Sequence, residues 1–220
     1  DSAKQKGTGR WASIEALKQG VDISMITSAC TARIMSNHLD EREKAWQLIH
    51  SPAVGLSPDK ESFAAMVREA LYTGKIIAYA QGFSLMQDAS RLYGWNLDLG
   101  KIASIFRAGC IIQAVFLNDI THAFEAEPKP ENLIFDGFFL SRINEHQDSL
   151  RQAVSTGVMN GLPIPALCNA VSYLDEFRAK AAGANLIQAQ RDCFGAHTYE
   201  RTDREGVFHH EWRWANDNQH

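Results

Sequence analysis

The chain has 220 residues and a mass of 24.5 kDa, enough for one large domain or two small ones, and at this size roughly 70% of the unfolded surface can be buried. With 45% hydrophobic and 22% charged residues, 15 Gly and only 6 Pro, it is not a disordered, collagen-like or low-complexity chain. The 22 basic residues against 26 acidic ones leave a net charge of −4 and an isoelectric point near 6.1, which argues against a general nucleic-acid or anionic-membrane partner and leaves room for a local basic pocket.

In chain order, Gly7 and Gly9 frame the start of a first helix, and Val21–Ile26 is a short ambiguous strand candidate. A helix from Ile26 to Ile34 follows, and Glu41, Arg42, Glu43 and Lys44 read as a solvated helix face. Ser57-Pro58 offers an N-cap and a first-turn proline for a long, mostly apolar helix that stops near Tyr93-Gly94 and should be buried on most sides. Asp98 caps a helix through Ile102, Ile105 and Phe106; an apolar stretch Ile111 to Ile120 follows Gly109, and Pro128 and Pro130 mark a loop. Helices are expected from Phe138 to Met159, stopping at Gly161, and from Leu167 to Phe177. Asn185 with Gln188 gives a capping-box start to a short helix ending at Gly195, and Val207-Phe208 carries the remaining strand signal. No internal linker or short-period repeat interrupts this pattern, so the fold class is all-α.

Four cysteines, Cys30, Cys110, Cys168 and Cys193, lie far apart without a CxxC pair, so neither a zinc site nor a disulfide scaffold is indicated, and reduced thiols in a cytoplasmic protein are expected. The uncharged stretch between Arg151 and Asp175 is long enough to span a bilayer, but Ser155, Thr156, Asn160, Gly161, Pro163, Pro165 and Asn169 make it two buried helix pieces joined by a turn. No signal segment opens the chain, and its first residue, Asp1, gives the expectation that it begins inside a longer protein.

Gly7-Thr8-Gly9-Arg10-Trp11-Ala12 fits the dinucleotide fingerprint G-x-G-x-x-[GA]. That fingerprint works only when a hydrophobic strand feeds it, and residues 1–6 are polar apart from Ala3, so no Rossmann domain is expected here. The same loop can present Lys6, the Thr8 hydroxyl and free backbone N–H groups to an anion, or it can be a plain helix start with a solvated lysine. Arg33, among Ala29, Cys30, Ala32 and Ile34, either pairs with a carboxylate at the core edge or offers its planar fork to a phosphate or carboxylate. Arg191 and His197 flank Gly195 and are further candidates. His209-His210-Glu211 reads as an exposed tail rather than a metal site, because adjacent side chains diverge and no third ligand is placed. Tyr79, Phe83, Trp95 and Phe106 have the spacing of core aromatics, and Cys193 has only Arg191 as an adjacent cation.

Gln5-Lys6-Gly7-Thr8-Gly9-Arg10-Trp11, Tyr79-Ala80-Gln81-Gly82-Phe83, Gly109-Cys110-Ile111-Ile112 and the run Ala184 to Tyr199 closely resemble the C-terminal all-helical domain of the 6-phosphogluconate dehydrogenase family, over Asp1 to about Trp212. The resemblance implies a homodimer in which the C-terminal tail of one subunit threads into the other. It also implies oxidative decarboxylation of 6-phosphogluconate to ribulose 5-phosphate, a pentose phosphate pathway reaction usually run with NADP⁺ and without a metal. Lys6 and Thr8 match the family's phosphate-contacting lysine and threonine, Arg33 its phosphate-binding arginine, and Arg191 and His197 the pair given to the partner's substrate site. A phosphate near −2 together with a carboxylate calls for several cations, and this set supplies three and a histidine.

The chain departs from the family at Arg10, commonly Lys; at Gln113, commonly Arg; at Cys193, commonly Tyr; and at Ser28, commonly Glu. In the family the cofactor loop, the lysine general base and the glutamate general acid precede the QKGTG loop, so no catalytic residue is assigned here and neither Lys4 nor Lys6 is taken as the base. The implied organisation is a helical substrate-binding and dimerisation domain over 1–184 and a tail over 185–220, with the Rossmann domain absent and the chain inactive by itself. The competing readings are a non-enzymatic helical module that binds a sugar phosphate or acts as a scaffold, and another β-hydroxyacid dehydrogenase.

Overall fold

Thirty-four residues from Lys60 to Tyr93 form a single helix in the computed structural model, which describes residues 1–52, 55 and 59–212. Ser57 and Pro58, the expected start signal, lie outside the described residues; the cap is Asp59, whose carboxylate accepts the Ser62 N–H at 2.9 Å. Gly94 ends the helix at φ 66°, a left-handed angle that glycine takes without steric cost. This helix (α4 in chain order) has no exposed residue between 72 and 90, in keeping with its mostly apolar character.

Before it come α1 (Thr8–Gln19), α2 (Ser24–Ser36) and α3 (Leu39–Leu48); after it come α5 (Leu99–Ile105), α6 (Leu117–Glu125), α7 (Gly137–Met159), α8 (Pro165–Arg178) and α9 (Ala184–Gly195). The all-α expectation holds. Val21–Ile26, the ambiguous strand, is instead a turn running into α2, and Leu117 to Ile120 is the only helical part of the apolar stretch after Gly109. Asp98 caps α5 as expected, accepting the Lys101 N–H at 3.0 Å.

The chain divides into two compact units, Asp1–Tyr173 and Leu174–His220, with the division inside α8. In the first, α4 packs against α7 and against a 3-10 turn at Leu133–Phe135. Phe83, Phe116 and Phe139 are almost wholly buried. Phe116 meets Tyr79 and Phe139 edge-on at 5.3 and 5.8 Å, while Phe83 stacks on Phe124 at 5.2 Å. Aromatic pairs of this kind add to the burial of their area. Trp95 corrects the core-aromatic expectation: it is 58% exposed and stacks on Tyr93 beyond the end of α4.

Close approach inside this unit depends on glycines. A Cβ at Gly74 of α4 would stand 2.8 Å from Leu167 Cδ2, and one at Gly157 of α7 would stand 2.4 Å from Ile164 Cδ1. The second unit is small: the end of α8, then α9, then a two-stranded antiparallel hairpin of β1 (Tyr199–Glu200) and β2 (Val207–Phe208), with Tyr199 opposite Phe208. The Val207-Phe208 strand signal is thus realised. The capping box at the start of α9 is not: Gly183 is the N-cap, and Gln188 turns away to donate to the Thr198 carbonyl. Among the described residues no helix is long and apolar enough to cross a membrane.

Candidate functional site

Gly7 begins the first cluster. It N-caps α1 at φ 102° with no side-chain cap, so the first N–H groups of the helix face away from any intrahelical partner. Gly9 is a packing glycine: its Cβ would fall 2.4 Å from Cys30 Sγ on α2. That contact accounts for the glycine in the fingerprint-like loop without a pyrophosphate, and no strand leads into it.

The segment before α1 is tied to the other end of α2. The Ala3 N–H donates to Ser36 Oγ at 2.9 Å, Asn37 Nδ2 donates to the Ala3 carbonyl at 3.3 Å, and Arg42 pairs with Asp1 at 3.0 Å. Ala3 therefore lies beside Ser36 and Gly9 beside Cys30, so the two segments run in opposite senses. Lys6 stands on the first of these segments and Arg33 on the second. Cys30, Arg33 and Ser36 follow at i, i+3 and i+6, one stripe of a helix. Arg33 is exposed and donates to its own Ala29 carbonyl at 3.1 Å; among the described residues neither Lys6 nor Arg33 has a carboxylate partner. Of the two readings open for Arg33, the core-edge ion pair is therefore set aside.

α2 is held from below by a buried amide. Gln81 of α4 is 0% exposed, accepts the Met25 N–H at 3.1 Å, and donates to Ser24 Oγ at 3.0 Å and to Asp22 Oδ1 at 3.2 Å. Its oxygen satisfies one of the orphan donors at the helix start. Thr27 bonds Ser13 across to α1 at 3.0 Å. At the far end of α1, the Tyr93 hydroxyl donates to Glu15 and holds that carboxyl below its ordinary range. Ser28, where the family commonly has Glu, is buried and donates to the Met25 carbonyl, so it brings no charge into the cluster.

The second cluster is in the smaller unit. Arg191 near the end of α9 is exposed and donates to Gln188 Oε1 at 3.0 Å. His197 is exposed, lies edge-on to Phe194 at 5.9 Å, and sits between two non-glycine residues in left-handed conformations, Ala196 at φ 48° and Thr198 at φ 61°. Such angles cost of order 1–3 kcal/mol each and persist only where neighbours enforce them.

The enforcing group is Asp192, which sequence reasoning passed over. It is 0% exposed, and its carboxylate accepts the Thr198 N–H (3.0 Å), His209 Nδ1 (2.8 Å), the His210 N–H (3.0 Å) and Trp212 Nε1 (3.0 Å). Burial acts to raise its pKa, but the bonds from His209, the His210 N–H, Trp212 and the Thr198 N–H outweigh burial and hold it far below the usual carboxylate range. The His209-His210-Glu211 segment is accordingly exposed but not free: two of its groups are tied to Asp192. Nothing in residue spacing signals this, because the four donors arrive from six to twenty positions downstream.

An open cavity of about 830 Å³ lies beside this clasp, lined by His197, Thr198, Arg201, His210 and Trp212 among others. Among the described residues no group of three or more His, Cys, Asp or Glu is placed to hold a metal. Lys6, Thr8 and Arg33 thus lie in the larger unit on segments tied to each other, and Arg191 and His197 lie in the smaller.

Comparison with known proteins gives a consistent result. The family model described as "6-phosphogluconate dehydrogenase, C-terminal domain" matches residues 1–212. The chain is 48% identical over 212 residues to "6-phosphogluconate dehydrogenase, decarboxylating" of Lactococcus lactis subsp. lactis (strain IL1403) and of Staphylococcus aureus (strain N315); each match covers 96% of this chain and 45% of the relative. The Plasmodium falciparum 6-phosphogluconate dehydrogenase, solved in its apo form, with its cofactor NADP+ and with its substrate 6-phosphogluconate, superposes with a TM-score of 0.91 at 39% identity, over 96% of this chain and 46% of that one. The chain therefore spans less than half the length of these relatives.

Proposed function

The chain belongs to the 6-phosphogluconate dehydrogenase family through its C-terminal domain, and on that premise we propose that it is the substrate-phosphate-binding and dimerisation part of an NADP-dependent enzyme that oxidatively decarboxylates 6-phosphogluconate to ribulose 5-phosphate. Lys6, Thr8 and Arg33 hold the phosphate; Arg191 and His197 are given by the tail to the substrate site of a second subunit. The observation that carries this reading is the tie of the segment before α1 to α2, Ala3 to Ser36 at one end and Gly9 against Cys30 at the other, with Lys6 and Arg33 on the two tied segments and neither neutralised by a carboxylate. Two cations without carboxylate partners and the open N-terminus of α1 are groups suited to an anion.

The organisation follows as a helical domain over 1–184 and a tail over 185–220 that completes the partner's site in a cytoplasmic homodimer. NADP is assigned to the remainder of the enzyme, since the fingerprint-like loop of this chain is accounted for by packing against Cys30. The hydride acceptor is NADP⁺, and the residues of this chain bind and orient the phosphosugar. The chain by itself turns nothing over, because no general base or acid is assigned within it.

Titration calorimetry with 6-phosphogluconate and with inorganic phosphate tests the reading. Both should bind the chain, the sugar phosphate more tightly, and Arg33→Ala should weaken both by about tenfold or more. Binding that is indifferent to Arg33 would sink the phosphate site. Oxidation of 6-phosphogluconate by the isolated 220-residue chain at an ordinary enzymatic rate would sink the division of chemistry.

A further inference from the structure

Asp192 is adjacent to one proposed ligand and five residues before the other, yet its side chain points into the protein. All four of its partners are donors: two N–H groups, an indole and an imidazole nitrogen. Oδ1 takes Thr198 and His209, while Oδ2 takes His210 and Trp212. Only an ionised carboxylate accepts at all four positions; an amide of the same shape would turn its own N–H₂ toward two donors. Because the carboxylate can only accept, His209 carries its proton on Nδ1.

The consequences converge on His197. The bond to the Thr198 N–H fixes the residue after His197 at φ 61°, and the Asp192 backbone carbonyl accepts the Ala196 N–H at 2.9 Å, fixing the residue before it at φ 48°. Gln188, which takes the Arg191 guanidinium at 3.0 Å, also donates to the Thr198 carbonyl, so the same corner sets Arg191. The bonds to His210 and Trp212 bring the segment after the hairpin back onto α9 and close the corner. We infer that Asp192 is a positioning residue for substrate: its buried carboxylate gathers the tail into one rigid corner so that Arg191 and His197 are presented together. This rests on the proposed role of those two residues in holding the phosphosugar.

The test is steady-state kinetics on the full-length dimeric enzyme that carries this chain. Asp192→Asn should raise KM for 6-phosphogluconate about tenfold or more while kcat changes by less than about threefold. In an Arg191→Ala/His197→Ala background the same substitution should add less than about twofold, because the groups it positions are gone. A merely structural role would lower the active fraction with KM unchanged, or raise KM by the same factor in both backgrounds, and either result overturns the inference. If Asp192→Asn fails to assemble, Trp212→Phe removes one donor and keeps the ring; a KM rise of about two- to fivefold that vanishes in the Arg191→Ala/His197→Ala background supports the role, and no rise refutes it. A normal KM in Arg191→Ala/His197→Ala itself would instead remove the reading on which this one stands, which separates the two failures.

Discussion

The two clusters of ligand candidates are held by opposite means. Thr8 and Arg33 stand on helices fixed by an apolar core, and Lys6 just before the first of them, with glycines allowing close approach and a single buried amide, Gln81, pinning α2 to α4. Arg191 and His197 stand on a short helix and hairpin whose order depends on one buried carboxylate gathering four donors. In the first case burial supplies rigidity and the charged groups are left unpaired outside it. In the second there is too little chain for a large core, so ionic hydrogen bonding replaces packing, and the network is expected to fail as a unit.

The largest expected effect would separate the clusters outright. Ending the full-length protein before Arg191 should lower kcat/KM by about a hundredfold or more through loss of two charge-assisted contacts, and should weaken the dimer in sedimentation. A fully active monomer would show that the tail is not shared. Arg33→Ala should raise KM for the phosphosugar by the equivalent of about 1.5–3 kcal/mol and leave thermal unfolding unchanged, since the side chain is exposed and bonds only its own helix.

Substitutions in the scaffold should behave differently. Gln81→Leu leaves the Met25 N–H unsatisfied and should cost about 1–3 kcal/mol of stability by denaturant unfolding, with substrate affinity falling as α2 loosens. A stable Gln81→Leu variant would mean that α2 is held by packing alone. Gly9→Ala puts a Cβ against Cys30 Sγ; the overlap should outweigh the better helix propensity of alanine and cost about 1 kcal/mol net. Cys30→Ala in the same chain should recover that loss, and a failure to recover would place the cost elsewhere.

The smallest effect is that of pH on the tail. The Asp192 carboxyl has a folded pKa below its unfolded value of about 3.9. Its stabilisation is therefore fully present above that unfolded value and is lost only as pH falls below it toward the lowered folded value. The Trp212 indole N–H resonance should stay protected from neutral pH down through the ordinary carboxylate range and exchange freely only in stronger acid. Opening well above pH 4 would contradict the clasp as the source of order.

The helical periodicity and several stops were readable from the chain itself. Gly94 and Asp98 act as read, because a left-handed angle and a capping carboxylate are local requirements. The long, mostly apolar helix ending near Tyr93-Gly94 was expected to be buried on most sides, and none of its residues from 72 to 90 is exposed. Gln188 was legible as a capping residue and is not one, since the better-placed carbonyl of Thr198 lies outside the helix. Trp95 had core-like spacing but falls past the end of α4, where it stacks on Tyr93 and stays 58% exposed.

The cation candidates Lys6, Arg33, Arg191 and His197 could be picked out by residue type and motif, because charge and hydrogen-bonding capacity belong to the side chain wherever it sits. What ties the segments carrying Lys6 and Arg33 to each other is the contact of Ala3 with Ser36 and of Gly9 with Cys30, a long-range register that no local spacing encodes. The role of Asp192 was equally hidden. A carboxylate announces nothing about its partners in sequence, and only the returning tail brings four donors to it and makes burial of the charge tolerable.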